Sequence, residues 1–308
     1  MNSFLPEGAA LYSAANRAAT ATAAGLAAAM REEQIVEARV VRCDARHNLY
    51  VEFPCMEGMI PREEGALGIA EGTTRDIALL SRVSRPAAFL VTGFESLPDG
   101  RMRALLSRKA AQQLCLDRYL SALRPGDILP ARVTRLEHFG AFCDIGVGIS
   151  ALLPIAGISV SRIAHPSDRL EAGMDIRVVL TSREEGRFCL SQRELLGTWE
   201  ENAAQFSAGD TVAGIVRSVE EYGIFVELTP NLAGLAEPRE GVRPGQLAGV
   251  YIKSILPEKM KLKLIIIDAQ ESAPSPAPPR YYVSEGHLDR WMYSPAGCSR
   301  RIETVFDA

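Results

Sequence analysis

One stretch of this chain is written twice. "GDILPARVTRLEHFGAFCDIG", beginning at Gly126, and "GDTVAGIVRSVEEYGIFVELT", beginning at Gly209, align without a gap: Gly126/Gly209, Val133/Val216, Gly140/Gly223 and Phe142/Phe225 are all 83 positions apart. An ungapped match of that length marks a duplicated structural unit. Beyond it the offset falls to 72, which aligns Gly173/Gly245, Val178/Val250, Arg187/Lys259 and Leu190/Leu262, so the later copy lacks 11 residues between Glu237 and Gly245. The matching segment of the earlier copy, "ISVSRIAHPSDRL", reads as a loop with a short helix, and its loss leaves the flanking strands intact.

A third, divergent copy precedes these two. "IVEARVVRCDARHNLYVEF" from Ile35 parallels "ILPARVTRLEHFGAFCDI" with one extra residue at the turn, and "ALLSRKAAQQ" from Ala104 parallels "FCLSQRELLG" from Phe188. Each copy consists of apolar, β-branched runs of strand length separated by Gly, Pro, Asp and Asn, the pattern of a small all-β barrel. The 308 residues therefore divide into an alanine-rich helical segment (1–33), a first barrel (34–112), a helical linker (113–123), a second barrel (124–196), a shortened third barrel (207–268) and a final stretch (269–308). That last stretch begins with the proline-rich "AQESAPSPAPPR" and ends in a tail carrying Trp291, Met292 and Tyr293.

Strand parity gives the central aromatic residues an address. Side chains alternate between the two faces of a strand, so Ala141, Cys143 and Ile145 oppose Phe142 and Asp144. The same division recurs in Ile224, Val226 and Leu228 against Phe225 and Glu227, and in Leu49, Val51 and Phe53 against Tyr50 and Glu52. An unpaired carboxylate is rarely buried, so the acid-bearing face is expected to be wet and to carry the rings with it. A bulge or close backbone approach at Gly140 and Gly223 would swing Phe139 and Tyr222 onto that same surface. Two neighbouring exposed rings form a platform on which the bases of a single strand stack.

Bulk properties exclude other classes. A net charge of −4 argues against nucleic-acid binding by overall charge, and Arg124 to Leu196 carries nine basic and nine acidic residues, so the middle copy is neutral. Six cysteines without a CxxC pair, and four histidines away from them, indicate reduced thiols, a cytoplasmic protein and no metal site. "AANRAATATAAGLAAAM" lacks a preceding basic residue and runs into Arg31-Glu32-Glu33, so it reads as a helix docked on the first barrel rather than a signal peptide. No segment has eighteen strongly apolar residues, so no membrane span is expected. No phosphate-binding loop, nucleophile elbow or two-metal acidic cluster is present, so neither an enzyme, a cofactor nor a small-molecule substrate is expected.

The duplicated stretches, with "FCLSQRE" closing the middle copy, resemble the RNA-binding repeat of the bacterial ribosomal protein S-one family in its short, few-repeat form, over about Ile35 to Asp268. The resemblance implies a mainly β fold of tandem five-stranded OB-fold barrels that bind single-stranded RNA through surface aromatic and basic residues. Carried over by position, the RNA-binding residues are Phe139, Phe142 and Arg187 in the middle repeat, with Arg135 in the same hairpin, and Tyr222, Phe225 and Lys259 in the third. The first repeat offers only His47 and Tyr50, and Asn48 stands in place of its glycine.

The chain also departs from the family pattern. Pro61, Pro154 and Glu237 replace a histidine common in the family, for which His165 is either a partial substitute or a solvated loop residue. Ser182 and Ser254 replace a carboxylate, which implies weaker binding per module. Lys259, Lys261 and Lys263 alternate with apolar residues, which makes either a charged solvent face or a track for the RNA backbone. The expected function is non-catalytic binding of single-stranded RNA or mRNA at the small ribosomal subunit. The alternative is a protein-docking scaffold with little affinity for free RNA, to which the aromatic tail would contribute.

Overall fold

The computed structural model describes residues 4–184, 186–271 and 278–306. Its strands close three five-stranded barrels. The first comprises β1 (Val36–Cys43), β2 (Leu49–Glu52), β3 (Glu57–Ile60), β4 (Pro86–Ser96) and β5 (Met102–Ser107). The second comprises β6 (Ile128–Glu137), β7 (Gly140–Asp144), β8 (Ser150–Pro154), β9 (Asp175–Glu184) and β10 (Arg187–Ser191). The third comprises β11 (Thr211–Glu220), β12 (Gly223–Thr229), β13 (Leu232–Ala236), β14 (Leu247–Leu256) and β15 (Lys261–Gln270). All three share one closure, in which the first three strands meander and the third pairs in parallel with the fifth: β3 with β5, β8 with β10, and β13 with β15. This is the topology of an oligonucleotide-binding barrel.

The period-two pattern explains why these segments are strands. Along β15, Lys261, Lys263 and Ile265 are exposed while Leu262, Leu264 and Ile266 are buried. Each fully buried aliphatic side chain of this kind stabilises the barrel by roughly 1.5–3 kcal/mol. The third barrel's core also includes Val216, Ile224, Val226, Val250 and Ile252.

The chain forms two compact units, one running to Leu123 and including Asp144–Ser150, the other comprising Arg124–Cys143 and everything from Ala151 onward. In the first unit the alanine-rich segment is two helices, α1 (Ala14–Thr20) and α2 (Ala23–Arg31), rather than the single helix expected. The break is at Thr22, whose backbone is extended and whose hydroxyl accepts from the Gly25 N–H, capping α2. A Cβ at Gly25 would lie 2.7 Å from the Ala19 carbonyl oxygen, so only glycine lets the two helices pack this closely. Leu26 and Ala29 are completely buried against the first barrel's core, as expected of a docked segment. A short helix, α3 (Ile77–Leu80), lies between β3 and β4. Beyond the barrel, α4 (Arg108–Arg118) is capped by Ser107, whose hydroxyl accepts from the Ala110 N–H.

In the second unit, α5 (Ile155–Ile158) leads into the segment missing from the third copy, which contains a 3-10 turn at Pro166–Asp168. Helix α6 (Trp199–Ala203) precedes β11 and is held by a Thr198/Glu201 capping box. The aromatic tail forms a hairpin of β16 (Arg290–Met292) and β17 (Glu303–Val305). Trp291 and Tyr293 are buried in the third barrel's core, and Phe306 packs against Val179 and Leu195. The tail is thus a structural strap: burial of both rings removes the exposed aromatic surface expected from its sequence. Half of the proline-rich stretch, residues 272–277, lies outside the described residues.

Candidate nucleic-acid interface

In the middle barrel, β6 and β7 are joined by a two-residue turn, His138–Phe139. Phe139 sits at its tip, 55% exposed, and Phe142 stands half-buried on the adjoining strand. The rings are 6.0 Å apart and perpendicular, with the Arg135 guanidinium 4.7 Å from the Phe142 centroid. The third barrel repeats the arrangement. Tyr222 at the turn is 68% exposed, and its ring lies 6.2 Å from that of Phe225 at 86°.

The glycine beside each turn serves a close backbone approach. A Cβ at Gly140 would come within 2.3 Å of the Leu153 carbonyl oxygen, and one at Gly223 within 2.6 Å of the Ala236 carbonyl oxygen. In the third barrel the register shift falls between Val216 and Ser218 on the facing strand, so the tight turn, rather than a bulge at the glycine, turns the ring outward.

The acids that were expected to mark the wet face are buried in two of the three copies. Asp144 and Glu227 are each only 4% exposed, whereas Glu52 is exposed. Both buried acids are paired, which is what the expectation of an unpaired carboxylate missed. Asp144 accepts hydrogen bonds from the backbone N–H groups of Glu7, Gly146 and Gly148. Burial and the charge of Glu7 push its carboxyl up to about 6 against those bonds. For Glu7 itself, burial opposes ionisation, but Arg108 and Arg82 prevail and hold its carboxyl below the usual range. Glu227 is clamped by Arg169 and Arg217.

The first barrel departs further. Tyr50 is only 7% exposed. The Arg42 guanidinium lies 3.6 Å from its ring centroid and that of Arg103 5.5 Å, while its hydroxyl donates to Asp44 at 3.0 Å. Partial desolvation works against ionisation of Asp44, but donors from Asn48, Tyr50 and Arg46 hold its carboxyl down to about 2. His47 pairs with Asp76 at 3.1 Å. Tyr50 has the expected strand position but is covered by arginines from β1 and β5, so it is not an exposed ring.

Of the basic candidates, only Arg135 has its charged group over one of these paired rings among the described residues. Arg187 is exposed at the start of β10, and Lys261 and Lys263 are exposed on β15. Lys259 belongs to a 3-10 turn, Pro257–Lys259, so the three lysines do not share one strand face as the alternation implied. His165 is neither free in a loop nor at a ring pair. It caps the Pro166–Asp168 turn by accepting from the Ser167 N–H at 3.1 Å, and its ring lies 5.1 Å from that of His138. Arg42 and Arg103, which decide the fate of Tyr50, were not singled out, although Arg42 occupies the same aligned position as Arg135.

Residues 122–191 match the S1 RNA binding domain. That match spans every strand of the middle barrel. The chain is also distantly homologous to bacterial small ribosomal subunit protein bS1. It is 30% identical to that of Leuconostoc lactis over 251 residues, covering 76% of this chain and 56% of the relative. It is 33% identical to that of Staphylococcus aureus over 205 residues, covering 59% and 52%. The chain thus spans about half the length of these curated relatives. Among solved structures, a multidomain protein with nucleic acid binding domains from Streptococcus pneumoniae is similar over 76% of this chain and 73% of its own, at 13% identity and a TM-score of 0.25. At that score the fold rests on the strand order of the present chain. The Phe139/Phe142 pair lies on the S1-matched barrel. Among the described residues no helix is long and apolar enough to cross a membrane, and no group of three His, Cys, Asp or Glu side chains is arranged to hold a metal.

Proposed function

We propose that the protein is a non-catalytic, single-stranded RNA-binding factor that engages mRNA at the small ribosomal subunit. The observation that supports this most is the repeated pair of rings, one at a hairpin tip and one on the adjoining strand, in barrels of oligonucleotide-binding topology. Bases stack on such pairs with little regard to sequence, at roughly 1–3 kcal/mol per base. Arg135 beside Phe142 and the exposed Arg187, Lys259 and Lys261 supply cations for the RNA backbone. Each module is weak on its own, but two in series make the second contact intramolecular and raise the apparent affinity. The distant relation to bS1 supports the assignment to translation. The docking-scaffold alternative loses its aromatic tail, because Trp291 and Tyr293 are core residues.

Fluorescence anisotropy with a labelled pyrimidine-rich RNA is expected to show salt-sensitive, micromolar or tighter binding. Phe142→Ala and Phe225→Ala should each weaken it by roughly 1 kcal/mol or more. Unchanged binding in both variants would remove the stacking mechanism.

A further inference from the structure

The third-barrel ring pair does not stand on an open surface. It borders a cleft of about 590 Å³ within the second unit, whose lining outside that barrel comes from Trp199 of α6 and from two further segments. One wall is Val160–Ala164, in the very segment that the third copy lacks. It is pinned to the turn between β12 and β13, since the Val160 N–H donates to the Asn231 side chain at 2.9 Å and the Ser161 N–H donates to the Pro230 carbonyl at 3.1 Å. The other wall is the tail at Arg300 and Ile302, anchored through Tyr293, whose hydroxyl donates to the Asn231 carbonyl. The insert kept by the middle copy thus completes a site belonging to its neighbour.

The chemistry of this cleft is that of a nucleotide. Its lining includes Tyr222 and Phe225, which offer faces for stacking, and the apolar side chains of Val160, Ile163 and Ile302. Arg162 and Arg300 are exposed, and neither guanidinium has an ion-pair partner among the described residues. Arg217, by contrast, is committed to Glu227, and Glu220 is the one carboxylate of the lining. The hydroxyl of Ser161, buried in the insert wall, has no hydrogen-bond partner among the described residues. A second cleft of about 390 Å³ shares Val160–Ile163, Arg300 and Ile302 with the first. The two unpaired cations therefore stand between adjoining clefts, where the phosphate linking two successive nucleosides would lie. Both volumes fall in the range of small-ligand sites.

We propose that these clefts form a composite RNA subsite: a strand leaving the Tyr222–Phe225 platform inserts a nucleotide beneath the middle repeat's insert, and Arg162 and Arg300 clamp its backbone phosphate. The subsite rests on the RNA-binding function proposed above and extends the third barrel's footprint beyond its own strands.

The test is fluorescence anisotropy on the full chain, across a salt series, with a labelled oligouridine of about twelve nucleotides. For Arg162→Ala/Arg300→Ala the expected result is at least about fivefold weaker binding and a salt slope smaller by about 0.7, the loss of one neutralised phosphate. Both residues are exposed and unpaired, so the variant keeps its fold. A photoreactive uridine in the same oligonucleotide should crosslink to the peptide containing Val160–Ala164. Affinity and slope equal to the parent protein, with Phe225→Ala still weakening binding, would overturn the subsite and leave the platform standing. Failure of the parent protein to bind the RNA at all would overturn both.

Discussion

The first and third barrels place an aromatic residue at the same strand position and give it opposite fates. Opposite Phe225 in the strand register stands Ser218, too short to cover the ring, so Phe225 borders a cleft. Opposite Tyr50 stands Arg42, whose guanidinium covers the ring at 3.6 Å while Arg103 approaches from β5 and Asp44 takes the hydroxyl. The middle barrel is intermediate, with Arg135 over Phe142 but Phe139 left exposed at the turn. Topology puts the ring on the outer face in every copy. Whether a base can reach it depends on one cross-strand neighbour and on what the adjoining strand contributes.

The units also neutralise their buried acids differently, and the largest expected effect lies there. Glu227 sits between Arg169 and Arg217 with all three side chains nearly buried, so removing it strands the Arg169 guanidinium without a counter-charge and leaves Arg217 only Asp168, 3.8 Å away. Glu227→Ala should destabilise the second unit by about 3–5 kcal/mol, the usual cost of breaking a buried pair from one side. Chemical denaturation at neutral pH followed by tryptophan fluorescence measures this directly, because Trp199 and Trp291 both belong to that unit's core. A loss below about 1 kcal/mol would mean that the arginines are solvated well enough without the acid.

That pairing also shows where sequence reasoning ends. The offset of 83 carried two of the barrels and the inward set of Ala141, Cys143, Ile224 and Val226, because alternation and repetition are local properties. The ring pairs were legible for the same reason. The burial of Asp144 and Glu227 was not, since their partners, Glu7 and Arg169, lie 137 and 58 residues away. Covering of Tyr50 likewise depends on Arg103, which reaches the ring only after β5 closes the barrel. Nor does the tail's sequence distinguish an exposed aromatic lure from a strap. Only the fold shows Tyr293 bonded to the turn at Asn231.

A smaller effect separates the acids of the first unit from Glu227. Glu37 is buried with one carboxylate oxygen lacking any partner among the described residues, and burial raises its carboxyl to about 7. A carboxyl raised in the folded state favours folding while protonated, so that contribution is complete below the unfolded value near 4.5 and lost as pH rises through about 7. Asp144, raised to about 6, adds in the same direction. The first unit should therefore lose stability between about pH 5 and pH 8, and Glu37→Gln should recover roughly 1–3 kcal/mol at pH 8 while changing little at pH 5. Thermal melts of both proteins at the two pH values decide it, and a parallel loss in the variant would assign the pH dependence to other groups.

The smallest expected effect is the sharpest test of the contrast between barrels. Tyr50→Phe keeps the ring under Arg42 and Arg103 and deletes only the hydroxyl that donates to Asp44. Loss of one hydrogen bond to a charged acceptor near the surface should cost the first unit about 1 kcal/mol of stability. Affinity for single-stranded RNA should stay within about twofold of the parent protein, since a ring already covered offers no face on which a base gains stacking energy. Tyr50→Ala should likewise spare RNA affinity, in contrast to Phe225→Ala, although it uncovers both arginines. If either substitution weakened RNA binding as much as Phe225→Ala, the arginine cover would have to open when RNA arrives, and all three barrels would then present working rings.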